Sequence, residues 1–179
     1  MSFGKFKLKD KHTWKSKPGY SICVLDRGLL RFEFPEHWVV RPEGGSVHLH
    51  DRPPSLESCD LGVSIFRVPG EAVRDMSLDD ALRDSLNHER QAYQESEVYH
   101  ITGADFEIAW LEQRYTDTEH DNRDARMRVA LIRGPVVCLI SMNYWAERAG
   151  GLEPVWDHVL ATLIFDLPIA DPAAGPVVQ

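Results

Sequence analysis

Leu30, Phe32 and Phe34 alternate with Arg31 and Glu33. That period of two predicts a strand with one buried face. The apolar run Ser21–Leu25 precedes it across Asp26-Arg27-Gly28. A connection so short predicts a hairpin. Beyond the break at Pro35-Glu36-His37-Trp38, Val39 and Val40 resume an extended segment, and Glu43-Gly44-Gly45 turns it. Val47 and Leu49 then alternate with His48 and His50 in a further strand, which the proline pair in Arg52-Pro53-Pro54-Ser55 ends. Leu61, Val63, Ile65 and Val68 form another apolar run, closed by Pro69-Gly70.

The period then changes. Ser77 and Asp80 make an S-x-x-D helix start, and Leu78, Ala81, Leu82 and Leu86 fall on one helical face. Tyr93 continues that face, so the spacing predicts a helix running to about Gln94. Four strand candidates follow: Tyr99–Thr102, Phe106–Thr116, Arg126–Arg133 and Val136–Trp145. The last is apolar on both faces, as a central strand is. Short links between the long ones predict an antiparallel meander. A final helix is expected after Gly150-Gly151 with Pro154 in its first turn, carrying the stripe Val155, Trp156, Val159, Leu160 and Leu163.

Neither helix is stable alone in water, so both stripes must face the sheet. The expected fold class is α+β: a single-domain α/β/α sandwich with a mostly antiparallel sheet, a central helix and a C-terminal helix. The expected organisation is a basic arm over residues 1–19, one domain over 20–168 and a flexible tail over 169–179.

Composition narrows this picture only slightly. A chain of 179 residues, 43% hydrophobic and 27% charged, suits one globular domain. Charge changes it more. All six lysines lie in the first 17 residues beside one acid, Asp10, whereas the remainder holds 14 arginines against 27 acids. So acidic a body repels phosphate backbones, which argues against nucleic acid as a partner. No apolar stretch approaches a membrane span. Cys23, Cys59 and Cys138 form no disulfide framework or zinc motif, and thiols with no secretory signal predict a cytoplasmic location. Cys23 and Cys138 sit in apolar runs, while Cys59, in a polar stretch, is expected to be reachable by solvent.

The stretch Leu30-Arg31-Phe32-Glu33-Phe34-Pro35-Glu36-His37-Trp38, an aromatic strand ending in Pro-Glu-x-Trp, resembles the PsbP-like and DcrB-like superfamily. That fold group also contains a Ran-binding nuclear import factor. The element order extends the resemblance over about residues 20–166. It implies a compact sandwich that works by binding proteins, and it transfers no catalytic residues. The chain is similar to a bacterial cytoplasmic relative, differing in its lysine-rich arm. Because some members of the group are chaperones for bacterial secretion effectors, the resemblance implies an adaptor or an effector chaperone.

Chemistry-bearing motifs are few. His48, His50 and Asp51 form His-Leu-His-Asp. Residues two apart on a strand point the same way, so both imidazoles can reach one metal ion. The alternative function is thus a small metal-dependent or small-molecule-binding enzyme using His48 and His50. Cys59 with either histidine is a conceivable nucleophile pair. Thr116–Asp124 has the composition of a calcium loop without its glycine and distal glutamate, and reads as a solvated hairpin end. There is no nucleophile elbow, Walker loop or dinucleotide glycine motif. Trp14, with Lys15 and Lys17, is either an anchor for a partner or a pin for the arm. The leading expectation is a non-catalytic domain, monomer or homodimer, with no cofactor and another protein as partner.

Overall fold

The computed structural model describes residues 7–68, 73, 75–86 and 92–176. The chain forms two compact units, one from residues up to 37 together with those from 154 onward, the other from residues 38–153. Every strand pairing is antiparallel, and the fold class is α+β.

The first unit is built on the expected hairpin. Strand β1 (Tyr20–Leu25) pairs with β2 (Leu30–Pro35), Cys23 lying opposite Phe32. In the turn between them Asp26 and Arg27 take left-handed backbone angles, and Gly28 has φ +102°. A short strand, β11 (Ile164–Phe165), pairs with the other edge of β2. The alternation in β2 predicts one buried face, yet all six residues are buried. Arg31 and Glu33 are buried because they satisfy each other and the backbone around them. Arg31 Nη2 donates to Glu33 Oε1 at 2.7 Å and to Lys15 O at 3.0 Å. Glu33 Oε2 accepts from Lys17 N–H at 3.2 Å and lies 3.0 Å from His158 Nε2. Thr162 Oγ1 accepts from Glu33 N–H at 2.9 Å.

Chain ends are tied together in the same unit. Lys9 and Thr13 donate backbone N–H groups to Ala173 O and Ala174 O, at 2.9 and 2.7 Å. The sequence predicts a loose tail beyond residue 169, but residues 171–175 form a turn closed by an isolated bridge.

The second unit is an eight-stranded sheet. Along it lie β3 (Val39–Glu43), β4 (Ser46–His50), β5 (Asp60–Phe66), β10 (Val137–Trp145), β9 (Arg123–Arg133), β8 (Glu107–Asp117) and β6 (Ala92–Glu95). Strand β7 (Tyr99–Thr102) pairs with the other half of β8's edge. The expected meander is β8–β9–β10, and β10 sits between β5 and β9, where a strand apolar on both faces belongs.

Helix α1 (Leu78–Asp84) starts as expected, with Ser77 Oγ accepting from Asp80 N–H. Leu78, Leu82 and Leu86 pack on Ala109, Leu111, Met127, Val129 and Leu131 of one sheet face. It ends at Asp84, however, and Ala92–Glu95 is a strand, so the predicted extension to Gln94 is corrected. Tyr93 falls at helical spacing but lies in β6 at a register irregularity, between Ala92 and Gln94, which pair with Tyr115 and Arg114 of β8. Residues 87–91 lie outside the described residues.

Helix α2 (Ala149–Ala161) follows a 3-10 turn, Ala146–Arg148. It begins before Gly150-Gly151, so Pro154 is interior rather than in the first turn. Of the predicted stripe, Val155, Trp156, Val159 and Leu160 are buried on the helix and Leu163 is buried just beyond its end; Leu152 is buried as well. No helix among the described residues is long and apolar enough to cross a membrane.

Candidate functional site

Antiparallel register places the histidines of β4 beside β5. His48 is opposite Gly62, His50 opposite Asp60, and Ser46 opposite Ser64. Because Ser46, His48 and His50 alternate along β4, all three project from one sheet face. The imidazole of His48 lies over Gly62, where an added Cβ would come within 3.3 Å of its Cε1. Glycine makes the room for the ring. Nδ1 of His48 is 2.8 Å from Asp60 Oδ1, and Nε2 is 3.1 Å from Ser46 Oγ. The ring is thus held between a carboxylate and a hydroxyl. His50 stacks at 6.3 Å between centroids, with Nδ1 3.2 Å from Cys59 O and 3.9 Å from Asp60 Oδ1.

Asp51, grouped with these histidines by sequence, stands apart from them. It is engaged by Arg148, and its Oδ1 accepts from Cys59 N–H at 2.7 Å. Burial pushes the Asp51 carboxyl up, but these hydrogen bonds outweigh it and hold the group below the usual carboxylate range. The described residues include no group of three or more metal-ligating side chains placed to hold an ion. Cys59 is fully buried rather than solvent-reachable. Burial, reinforced by Asp51, pushes its thiol up, out of thiolate chemistry. Its carbonyl, not its thiol, meets His50, so the conceivable Cys59–histidine nucleophile pair is not formed.

Trp14 is a pin within its own chain. Its Nε1 donates to Pro172 O at 2.8 Å, and Thr13 Oγ1 donates toward Ala174 O and Pro176 O. Lys15 and Lys17 bind through backbone groups to Arg31 and Glu33, and the Lys17 ammonium lies 5.2 Å from the Tyr20 ring centroid. Thr116–Asp124 spans the β8–β9 hairpin end, with Asp121 and Asn122 in left-handed turn conformations.

Two features escape sequence reasoning. Ser46 shares parity with His48, which is a legible signal, but Asp60 reaches His48 only through the register that the 51–59 loop sets. That loop is fastened by Trp145 Nε1 to Leu56 O at 2.8 Å, by Arg148 to Glu57 O at 2.9 Å and by Arg123 to Glu57 Oε1 at 2.6 Å.

The other missed feature is an apolar corner of the same sheet. The edge segment 92–102 follows β8 as two short strands joined through Ser96, whose Oγ accepts from Glu112 N–H at 2.9 Å. Tyr99 and Ile101 are 40% and 41% exposed on one face, and Tyr93 is 58% exposed. Tyr99 stacks on Trp110 at 4.6 Å. A hollow of about 280 Å³ continues past Ile101, His100 and Met76. It shares Thr102, Glu107 and Arg133 with a second hollow of about 630 Å³ bordered by Val68, Phe106 and Pro135.

Comparison with known proteins bears on the fold and the family. The solution structure of the cyanobacterial PsbP protein CyanoP, from Synechocystis sp. PCC 6803, superposes with a TM-score of 0.60. It is 16% identical, over 84% of this chain and 94% of CyanoP. LpqN of Mycobacterium tuberculosis, involved in cell envelope biogenesis, gives 0.53 at 13% identity, over 80% of this chain and 88% of LpqN. The fold is therefore the PsbP-like one that the aromatic strand and Pro-Glu-x-Trp imply. In sequence, the Nostoc sp. PCC 7120 protein alr1449 is 32% identical over 170 residues, 94% of this chain and 88% of that protein. With residues 21–169 also matching the family model Alr1449, the chain belongs to the Alr1449 family.

Proposed function

We infer that the protein is a binding module for another protein, engaged along the β6–β7 edge and the apolar corner beside it. The observation that carries this reading is the exposure of Tyr99 and Ile101 on an edge segment whose outer side pairs with no strand among the described residues. Such an edge offers backbone donors and acceptors to an incoming extended segment, and alternate side chains supply the apolar contact. The adjoining hollows lengthen the surface without enclosing a small molecule. An adaptor, or a chaperone that holds an effector before secretion, is the concrete form of this function. Its site of action is the cytoplasm, with the protein acting as a monomer or homodimer.

The test places a photo-crosslinking residue at position 99 in the native host, and a control at position 41 on the far edge strand β3. One discrete protein adduct from position 99, absent from position 41 and lost in Ile101→Asp at unchanged melting temperature, supports the reading. Equal crosslinking from both positions, or none from position 99, refutes it.

A further inference from the structure

We propose that Ser46 is a nucleophile activated by His48 and Asp60, and that it accepts acyl groups from esters or thioesters presented at the tip of the β3–β4 hairpin. This inference is independent of the docking surface above. A Ser-His-Asp relation is recognised by its two hydrogen-bond distances and the roles they allow, and not by fold or chain order. Both distances are met here: hydroxyl to Nε2 at 3.1 Å, and Nδ1 to carboxylate at 2.8 Å.

The proton inventory fixes the roles. A carboxylate only accepts, so His48 Nδ1 carries the proton that Asp60 receives, and the neutral ring presents its lone pair at Nε2 to the Ser46 hydroxyl. Glu43 O, 2.9 Å from Ser46 Oγ, is a second acceptor that keeps the oxygen in place while the hydroxyl turns between the two. His50 Nδ1 lies 3.9 Å from the same Asp60 oxygen. Gly62 leaves room for the ring, since an added Cβ would press within 3.3 Å of His48 Cε1. The hairpin tip is open to solvent, with Glu43, Gly44 and Gly45 exposed and Ser46 and His48 half-buried.

In the acyl step the Ser46 Oγ–carbon bond forms as the carbon–leaving-group bond breaks. His48 Nε2 takes the hydroxyl proton and delivers it to the leaving alcohol or thiol. Water then attacks the acyl-serine, His48 takes a proton from that water, and the carboxylic acid departs as Ser46 recovers its proton. The site stands on an exposed hairpin and not in an enclosed cavity, so the substrate class is an acyl group carried on a larger molecule. Small activated electrophiles serve as probes.

The experiment treats the full-length protein with a fluorophosphonate and follows intact mass, with peptide mapping of the adduct. p-Nitrophenyl acetate, assayed by nitrophenolate release, provides the turnover readout. One adduct on Ser46 is expected. General-base catalysis contributes about 10²–10⁴-fold, so His48→Gln should slow labelling at least about a hundredfold. Asp60→Asn should slow it by roughly tenfold or more while Asp60→Glu restores part of the rate, which a merely structural role would not do. No adduct, an adduct on another residue, or an undiminished rate in folded His48→Gln overturns the proposal. If His48→Gln does not fold, Asp60→Asn decides alone, and an unchanged rate there overturns it equally.

Discussion

Glu33 is the residue whose replacement tests the first unit most directly. Its carboxylate takes a guanidinium hydrogen bond from Arg31 at 2.7 Å, faces His158 Nε2 at 3.0 Å and accepts the Lys17 N–H at 3.2 Å. Glu33→Ala removes all three at once and leaves the buried Arg31 facing only Lys15 O and Thr162 O. Breaking a buried pair from one side costs about 3–5 kcal/mol, because the remaining charge loses its counter-charge. Burial pushes the Glu33 carboxyl up, but the bonds from Arg31, Lys17 and His158 outweigh it and hold it below its ordinary value. A carboxylate depressed on folding stabilises fully above its unfolded pKa, about 4.3. That contribution disappears as pH falls through the lower folded value. Urea denaturation at pH 7 should therefore show the full loss, while wild type and variant converge on acidification below about pH 4. Hydrogen exchange at the Lys17 amide should accelerate in step. A stability loss under about 1 kcal/mol at pH 7, or a gap that widens toward acid, would refute this reading of the network.

Other outcomes follow from single residues. Trp156 is fully buried, so Trp156→Ala should lose about 3–5 kcal/mol in denaturant titration. Gly28→Ala would put a Cβ 2.3 Å from Leu167 O at φ +102°, and should lower stability by about 2 kcal/mol or more, read as a lowered Tm. All three thiols are buried and pushed up, Cys23 and Cys138 to about 12, so iodoacetamide at pH 8 should label none of them until denaturant is added, as counted by intact mass.

What the sequence makes legible is whatever one strand or one helix turn decides. The apolar faces of Val136–Trp145 mark the centre of the sheet because a strand buried on both sides has few other places to go. The Ser77 cap is read from four residues. The burial of Arg31 and Glu33 is illegible for the opposite reason: His158 and Thr162 lie about 130 positions away in sequence. Tyr93 misleads because its helical spacing competes with a cross-strand pairing that only β8 can supply. The site divides the same way, with Ser46 and His48 related by local parity and Asp60 by register alone.

The length of α1 connects these readings to the site. Seven residues of helix span about 10 Å, roughly two strand spacings of a sheet. Among the described residues its apolar partners lie on β8, β9 and β10, and none lies on β4 or β5. Where the helix stops, the same sheet face turns polar: Ser46, His48, Asp60, Gly62, Ser64 and Ser141 line up across β4, β5 and β10. The chain around α1 instead follows β8 and β9: Met76 O, ahead of the helix, accepts from Arg133 at 2.6 Å, and Ala92, after it, pairs with Tyr115 toward the opposite end of β8. The polar patch therefore lies on strands that supply none of the apolar partners of α1, and the His48 ring is held there by Asp60 and Ser46.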